Sequence, residues 1–235
     1  MKSALLFYGG WEGHDPERIS ARLERILKEN GFTTERHDTV DCLADRERLA
    51  SFDLIVPAVT MGEMSYGIAA SVSYAVEQGT GLCGCHGGLC DAFRTNTLWQ
   101  FITGGQFVDH PGGGSTTYNV HMIPGKSPIT DGIGDFTVTS EQYYLHIDPA
   151  VNVLATTRFP VKNGPHAANG AVDMPVAWTK YWGLGRIFYL SLCHTDEDFV
   201  TCPQAEIMMT RGMLWASDGK KYAAENGLTA ETYRI

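Results

Sequence analysis

The chain has 235 residues, 43% hydrophobic and 11% aromatic, enough for one sizeable core and unlike a disordered segment. A formal net charge of -9, with no cluster of Lys or Arg, disfavours nucleic acid or an anionic membrane as partner. No run approaches the roughly 18 apolar residues of a membrane span.

The N-terminal run Ala4-Leu5-Leu6-Phe7-Tyr8 stops at Gly9-Gly10. It is too short for the apolar region of a signal segment and reads as a buried first strand, which predicts a cytoplasmic protein. Asp15 is placed as an N-cap and Pro16 as the first residue of a helix. Ile19, Leu23, Ile26 and Leu27 recur at helical spacing until Asn30-Gly31. Thr33 to His37 is a short polar strand, and a brief helix closes near Phe52. Asp53 to Val59 is the most strand-like run of the first half, and a helix follows from Ile68 to Glu77.

Next comes Gly81-Leu82-Cys83-Gly84-Cys85-His86-Gly87-Gly88-Leu89-Cys90. It reads as a buried strand that turns sharply into a helix. Gly84-Cys85-His86-Gly87-Gly88 has the G-x-[residue]-x-G form of a nucleophile elbow, with imidazole where hydrolases carry Ser or Cys. Imidazole there does not readily form an acyl-enzyme, but it can hold a metal or move a proton. A helix from Thr95 to Ile102 follows. Alternating strands and helices predict an α/β fold with a doubly wound, mostly parallel sheet and helices on both faces. Function at such sheets sits at the carboxyl ends of the strands.

From Gly104 the texture changes. Residues 104–114 read as a Gly-rich loop, and Thr116 to Met122 as a strand. Further strands are expected over Val151–Thr156, Pro175–Trp182 and Gly185–Leu192, then a helix from Pro203 to Trp215 and a loosely packed polar tail from Asp218. No repeat, low-complexity segment or linker divides the chain, so residues 1–235 are expected to form one domain. The sheet edge and the 104–114 loop leave room for a homo-oligomer.

The six cysteines form no C-x-x-C pair and read as buried free thiols rather than a zinc ribbon or disulfide framework. Neither G-x-G-x-x-G nor a P-loop follows the first strand. Trp11 and Glu12 stand where a phosphate needs open backbone amides, so no nucleotide cofactor is expected. Of the eight histidines, His14, His86, His110 and His194 lie at strand ends or in Gly-rich loops. His37, His121, His146 and His166 lack that context and read as ordinary surface or satisfied core residues. His194 precedes Asp196, Glu197 and Asp198, which either orient it as in a triad or form a solvated acidic turn. Glu141, within Ser140-Glu141-Gln142-Tyr143-Tyr144, needs a partner if buried; otherwise it is a surface carboxylate beside a tyrosine pair.

Three histidines and a carboxylate suit a divalent ion, zinc among the candidates, with positions left for substrate. The expected ligands are His86, His110 and His194. The expected catalytic set is His86, Glu141 and His194, with His14, Trp11 and Tyr143 on the substrate and Glu141 or His14 as a further ligand or general base. Of the aromatics, Trp11, Tyr143 or Tyr144 is expected to offer a stacking face to a sugar ring, while Trp99, Trp178 and Trp182 read as core.

The chain resembles the trehalose-utilisation (ThuA-like) family, a branch of the class I glutamine amidotransferase-like superfamily. The resemblance rests on Gly10-Trp11-Glu12-Gly13-His14-Asp15, Gly84-Cys85-His86-Gly87, Gly104-Gly105-Gln106-Phe107-x-x-His110-Pro111 and Pro128-Ile129-Thr130-x-Gly132. It continues with Glu141-x-Tyr143, Pro175-Val176-Ala177-Trp178 and Gly185-Arg186-Ile187-Phe188-Tyr189-x-x-x-Cys193-His194. Cys193 stands where the family usually has Gly. The resemblance implies a flavodoxin-like sheet and a small carbohydrate substrate, a disaccharide or its 3-keto derivative. It implies isomerisation, elimination or glycosidic cleavage, without glutamine hydrolysis. A non-catalytic sugar-binding or regulatory protein that keeps the cleft is the alternative. A hydrolase using Cys85 is a third, disfavoured because Cys85 lies on the wrong side of the turn.

Overall fold

The computed structural model describes residues 1–233. Its first half alternates strand and helix: β1 (Ser3–Gly10), α1 (Pro16–Glu29), β2 (Thr33–His37), α2 (Arg46–Ser51), β3 (Leu54–Thr60), α3 (Tyr66–Glu77), β4 (Gly81–Cys85), α4 (Gly87–Cys90) and α5 (Thr97–Thr103). The second half is richer in strands: β5 (Gly105–Asp109), β6 (Thr116–Met122), β7 (Phe136–Ser140), β8 (Tyr144–Ile147), β9 (Asn152–Phe159), β10 (Val172–Trp182) and β11 (Gly185–Leu190). Helices α6 (Asp198–Thr201), α7 (Pro203–Ala216) and α8 (Gly219–Glu225) follow.

A nine-stranded sheet runs in the order β2-β1-β3-β4-β11-β10-β9-β6-β7. From β2 to β11 the strands pair in parallel, in the 2-1-3-4-5 order of a flavodoxin-like sheet. From β11 outward through β10, β9, β6 and β7 every pairing is antiparallel. The sheet is therefore mixed, with a parallel half and an antiparallel wing. β5 and β8 form a separate two-stranded sheet.

Side-chain alternation explains why the sheet is covered on both faces. Along β1, Ala4 and Leu6 enter one core with Ile19 and Leu23 of α1 and Met209 of α7. Leu5 and Phe7 enter the other with Leu49 of α2, Val72 of α3 and Trp99 of α5. Burying each Leu or Phe contributes about 1.5–3 kcal/mol relative to leaving it in water. These runs thus hold the strand ends, and the loops beyond them, in place.

Four expectations are corrected. Residues 104–114 are not all loop, because Gly105–Asp109 pairs with Tyr144–Ile147. Asp15 makes no side-chain cap; it turns through φ 46° and its carboxylate lies 3.6 Å from Arg18. Strand β11 ends at Leu190: Ser191 N still donates to Val176 O (2.7 Å) in the β10 register, but the backbone then turns at Cys193, φ 72°. The tail does not hang loose: α8 docks through Lys220, whose Nζ donates to Ala50 O at 2.6 Å and also to Phe52 O.

Candidate metal centre

The parallel strands β1, β3, β4 and β11 end on the same side of the sheet, and the chain beyond each contributes to one cluster. After β1, Trp11 N donates to Thr60 O at 2.9 Å, fastening the turn over the end of β3. Gly10 makes this approach feasible, since a Cβ there would lie 1.9 Å from Thr60 O. The turn delivers His14, 6% exposed, with Nδ1 2.9 Å from the Thr60 hydroxyl.

After β4, His86 adopts φ 49°, ψ -129°, a conformation that costs a non-glycine residue about 1–3 kcal/mol. The surroundings hold it there: His86 N donates to Leu190 O at 2.7 Å, and the Tyr189 hydroxyl donates to His86 O at 3.0 Å. A Cβ on Gly87 would lie 2.3 Å from Thr60 Oγ1 and 2.8 Å from His14 Nδ1. The elbow read from the sequence is therefore a strained turn packed against the His14–Thr60 pair. After β11, His194 is fixed at its amide, which donates to Asp198 Oδ2 at 2.9 Å.

Glu141 arrives from the other half of the molecule, between β7 and β8, and is 5% exposed. Its Oε2 lies 3.1 Å from His86 Nε2 and 3.7 Å from His14 Nε2, and its Oε1 lies 3.5 Å from His194 Nε2. One ligand atom from each of His14, His86, Glu141 and His194 can be chosen so that all lie within 4.8 Å of one another. Donor atoms about 2.1 Å from a tetrahedral centre are about 3.4 Å apart, so the carboxylate-to-imidazole spacings match a shared ion.

Proton bookkeeping points the same way. His86 Nδ1 lies 2.9 Å from Ser191 O. A carbonyl only accepts, so Nδ1 carries the hydrogen, and neutral His86 presents a bare Nε2 to the Glu141 carboxylate. Burial, with the nearby imidazoles of His14 and His194, pushes His86 down to about 4 against the opposing bond from Glu141. Burial would raise Glu141, but the imidazoles of His14 and His86 beside it override that and hold the carboxyl well below its usual range. His194 is also lowered, first by burial. At neutral pH two acceptors thus face each other across 3.1 Å, an arrangement that a shared cation relieves. A backbone carbonyl on the far nitrogen is also how proteins orient a ligating histidine.

The sequence assigns His110 to the metal and offers His14 as a substrate contact, a further ligand or a general base. The geometry groups His14 with the other three. His110 lies outside that group, at the rim, with Nε2 3.9 Å from Glu141 Oε1 and its side chain 38% exposed. Tyr143 is 2% exposed and stacks on the His86 ring, with centroids 3.9 Å apart and planes at 30°. Trp11 is 47% exposed, edge-on to His14 at 4.7 Å, and open to a ligand. Trp99 and Trp178 are core. Asp196 serves Arg22 and Arg18, while Asp198 holds His194. Thr60 and Ser191, which orient the imidazoles of His14 and His86, are missed in the sequence; their signal is their place at or just beyond the ends of β3 and β11. Asp198, one of the carboxylates read as able to orient His194, holds its backbone amide. Cys85 is buried, packed into the core beneath the cluster and lining the cavity beside His14, His86 and His194.

The sequence model of the ThuA family, described as trehalose utilisation, matches residues 3–216. The chain belongs to the ThuA family. Similar solved structures include a ThuA-like protein from Parabacteroides merdae ATCC 43184, 18% identical, with TM-score 0.73 over 93% of this chain and 91% of that one. A ThuA-like protein from Bacteroides uniformis ATCC 8492 is 19% identical, with TM-score 0.70 over 92% and 91%. A cytoplasmic protein from Salmonella typhimurium LT2 is 13% identical, with TM-score 0.62 over 94% and 99%. At these identities the likeness concerns the fold alone. None of the curated proteins matches this sequence. Among the described residues, no helix of this ThuA-family chain is long and apolar enough to cross a membrane.

Proposed function

We propose that this chain is a carbohydrate-acting enzyme that holds a divalent metal, zinc first among the candidates, through His14, His86, Glu141 and His194. The observation that carries the reading is the bare Nε2 of His86 facing the Glu141 carboxylate at 3.1 Å, with Nδ1 committed to Ser191 O. When bound, the ion supplies Lewis-acid polarisation of a sugar carbonyl or hydroxyl. The protein does the rest. Thr60 and Ser191 fix two imidazoles, Tyr143 packs against His86 and excludes water from it, and Trp11 offers an open aromatic face to a sugar ring.

The family's description, trehalose utilisation, supports a disaccharide or its keto derivative as substrate. Isomerisation or elimination beside a carbonyl fits better than direct glycoside hydrolysis, which uses two carboxylates flanking one bond. Asp198 is no free twin for Glu141, because its Oδ2 accepts from the Ser140 hydroxyl and the His194 amide. His86 at the elbow, with Cys85 in the core, argues against amidotransferase chemistry. The free cysteines support a cytoplasmic location, where thiols are kept reduced.

The test is metal content of protein purified without chelator, alongside His86→Ala. About one equivalent in the wild type and a loss in the variant are expected. If the wild type takes up neither zinc nor manganese on soaking, the metal reading is wrong.

A further inference from the structure

Four of the five imidazole and carboxylate groups at this site form the buried or nearly buried cluster, but the fifth, His110, stands at its rim with a side chain 38% exposed. The far nitrogens of His86 and His14 rest on protein oxygens, Ser191 O and Thr60 Oγ1. Such partners fix a ligand's tautomer. His110 has none: its Nδ1 is buried without a hydrogen-bond partner, and its Nε2 reaches only to 3.9 Å from Glu141 Oε1. Its backbone is nonetheless set, since His110 N donates to Asp109 Oδ1 at 2.8 Å and His110 O accepts from Gly112 N at 2.6 Å and Gly113 N at 2.9 Å. The ring packs against Phe107, with centroids 5.9 Å apart. It is therefore a placed imidazole, open to solvent on one side and to the cluster on the other.

We propose that His110 is the catalytic acid–base residue that touches the bound sugar and is not a metal ligand. The inference rests on the metal-assisted carbohydrate reading above. In the step it serves, the C–H bond next to the substrate's carbonyl breaks and its proton passes to His110 Nε2. The electron pair left on carbon forms a C=C bond, and the carbonyl oxygen takes the negative charge. The resulting imidazolium returns the proton to carbon, or donates it to a departing glycosidic oxygen, so charge and atoms balance without an added oxidant or reductant.

The test compares wild type, His110→Gln and His110→Ala, each soaked with zinc, using a methyl 3-keto-α-glucoside in D2O as probe. His110→Gln is expected to bind zinc with wild-type stoichiometry while deuterium uptake beside the carbonyl falls by about 100- to 10,000-fold. Added imidazole is expected to restore part of the exchange in His110→Ala, which a purely structural role does not allow. Loss of zinc from His110→Gln makes it a ligand and overturns the inference. Exchange at the wild-type rate in both variants, or a loss in His110→Ala that imidazole fails to restore, also overturns it. In each of those outcomes the wild type still binds zinc and exchanges. A wild type that does neither overturns the metal-assisted reading, and this inference with it.

Discussion

The parallel half of the sheet and its antiparallel wing make different contributions to one site. Among the described residues, the non-glycine residues with positive φ are Asp15, Met61, His86 and Cys193. Each follows a different parallel strand, β1, β3, β4 or β11. The antiparallel wing has none, and its turns bend at glycines such as Gly125, Gly132 and Gly170. The half that supplies the nitrogen donors therefore stores strain at its strand ends, held down by strands buried on both faces. The wing supplies the carboxylate and the rim from relaxed backbone. Rigid strand ends fix the imidazoles, and the wing closes over them with Glu141, Tyr143 and His110.

If the wing is a separately fastened cover, breaking its fastening should destabilise it most. Lys180 of β10 is 5% exposed, and its Nζ pairs with Asp148 Oδ2 at 2.6 Å, just beyond β8. It also donates to Phe101 O. Asp148→Asn leaves that ammonium buried without its counter-charge and is expected to cost about 3 kcal/mol in urea unfolding. A loss under about 0.5 kcal/mol would show that the pair is ornamental. The pH dependence has a definite sign. Burial works to raise Asp148, but the Lys180 hydrogen bond overrides it and holds the carboxyl below its ordinary value. In the window just below about pH 4 the unfolded chain binds the proton and the native one does not. This stabilisation is complete above the unfolded pKa and is lost as pH falls through the lower folded one. Asp148→Asn should therefore flatten the acid limb of the stability curve.

The second expected effect concerns the donors the two halves share. Glu141→Gln keeps the shape but removes the wing's charge from three imidazoles. Zinc affinity is expected to fall by about 100-fold, or about 2.8 kcal/mol, measured by chelator competition. An unchanged affinity would mean that the parallel half binds metal alone and the wing only covers it.

How much of this was legible in the sequence follows the same division. In the parallel half, apolar runs bounded by Gly9-Gly10, Gly79 and Gly87-Gly88 announce buried strands and tight exits, so β1, β3, β4 and the placement of His14, His86 and His194 can be read from local pattern. The wing cannot be read that way. Glu141 lies 55 residues from His86, and nothing near it says which imidazole it meets. Gly105–Asp109 looks like loop because its strand character comes from a partner, Tyr144–Ile147. That His14 joins the buried cluster while His110 stays at its rim has the same cause: it depends on where the wing settles, which tertiary packing decides. Asp198 looks like one member of an acidic turn, and only the fold shows it holding the His194 amide.

The smallest expected effect tests the strain itself. Cys193 turns through φ 72°, where the resembling family usually has glycine, and it is fully buried. Cys193→Gly alone is uninformative, because relief of backbone strain is offset by the lost burial of the thiol. Cys193→Ala removes the same thiol and keeps the strain. The difference between the two variants isolates the backbone. In a helix, glycine is less stable than alanine by roughly 0.5–1 kcal/mol; at this turn the order should reverse, with Cys193→Gly more stable than Cys193→Ala by about 1 kcal/mol. At Ala155, in wing strand β9, the ordinary order is expected, with Ala155→Gly less stable than the native alanine. If Cys193→Gly is not the more stable of its pair, the turn before His194 carries no strain. The parallel half would then hold its imidazoles by packing alone, as the wing holds Glu141.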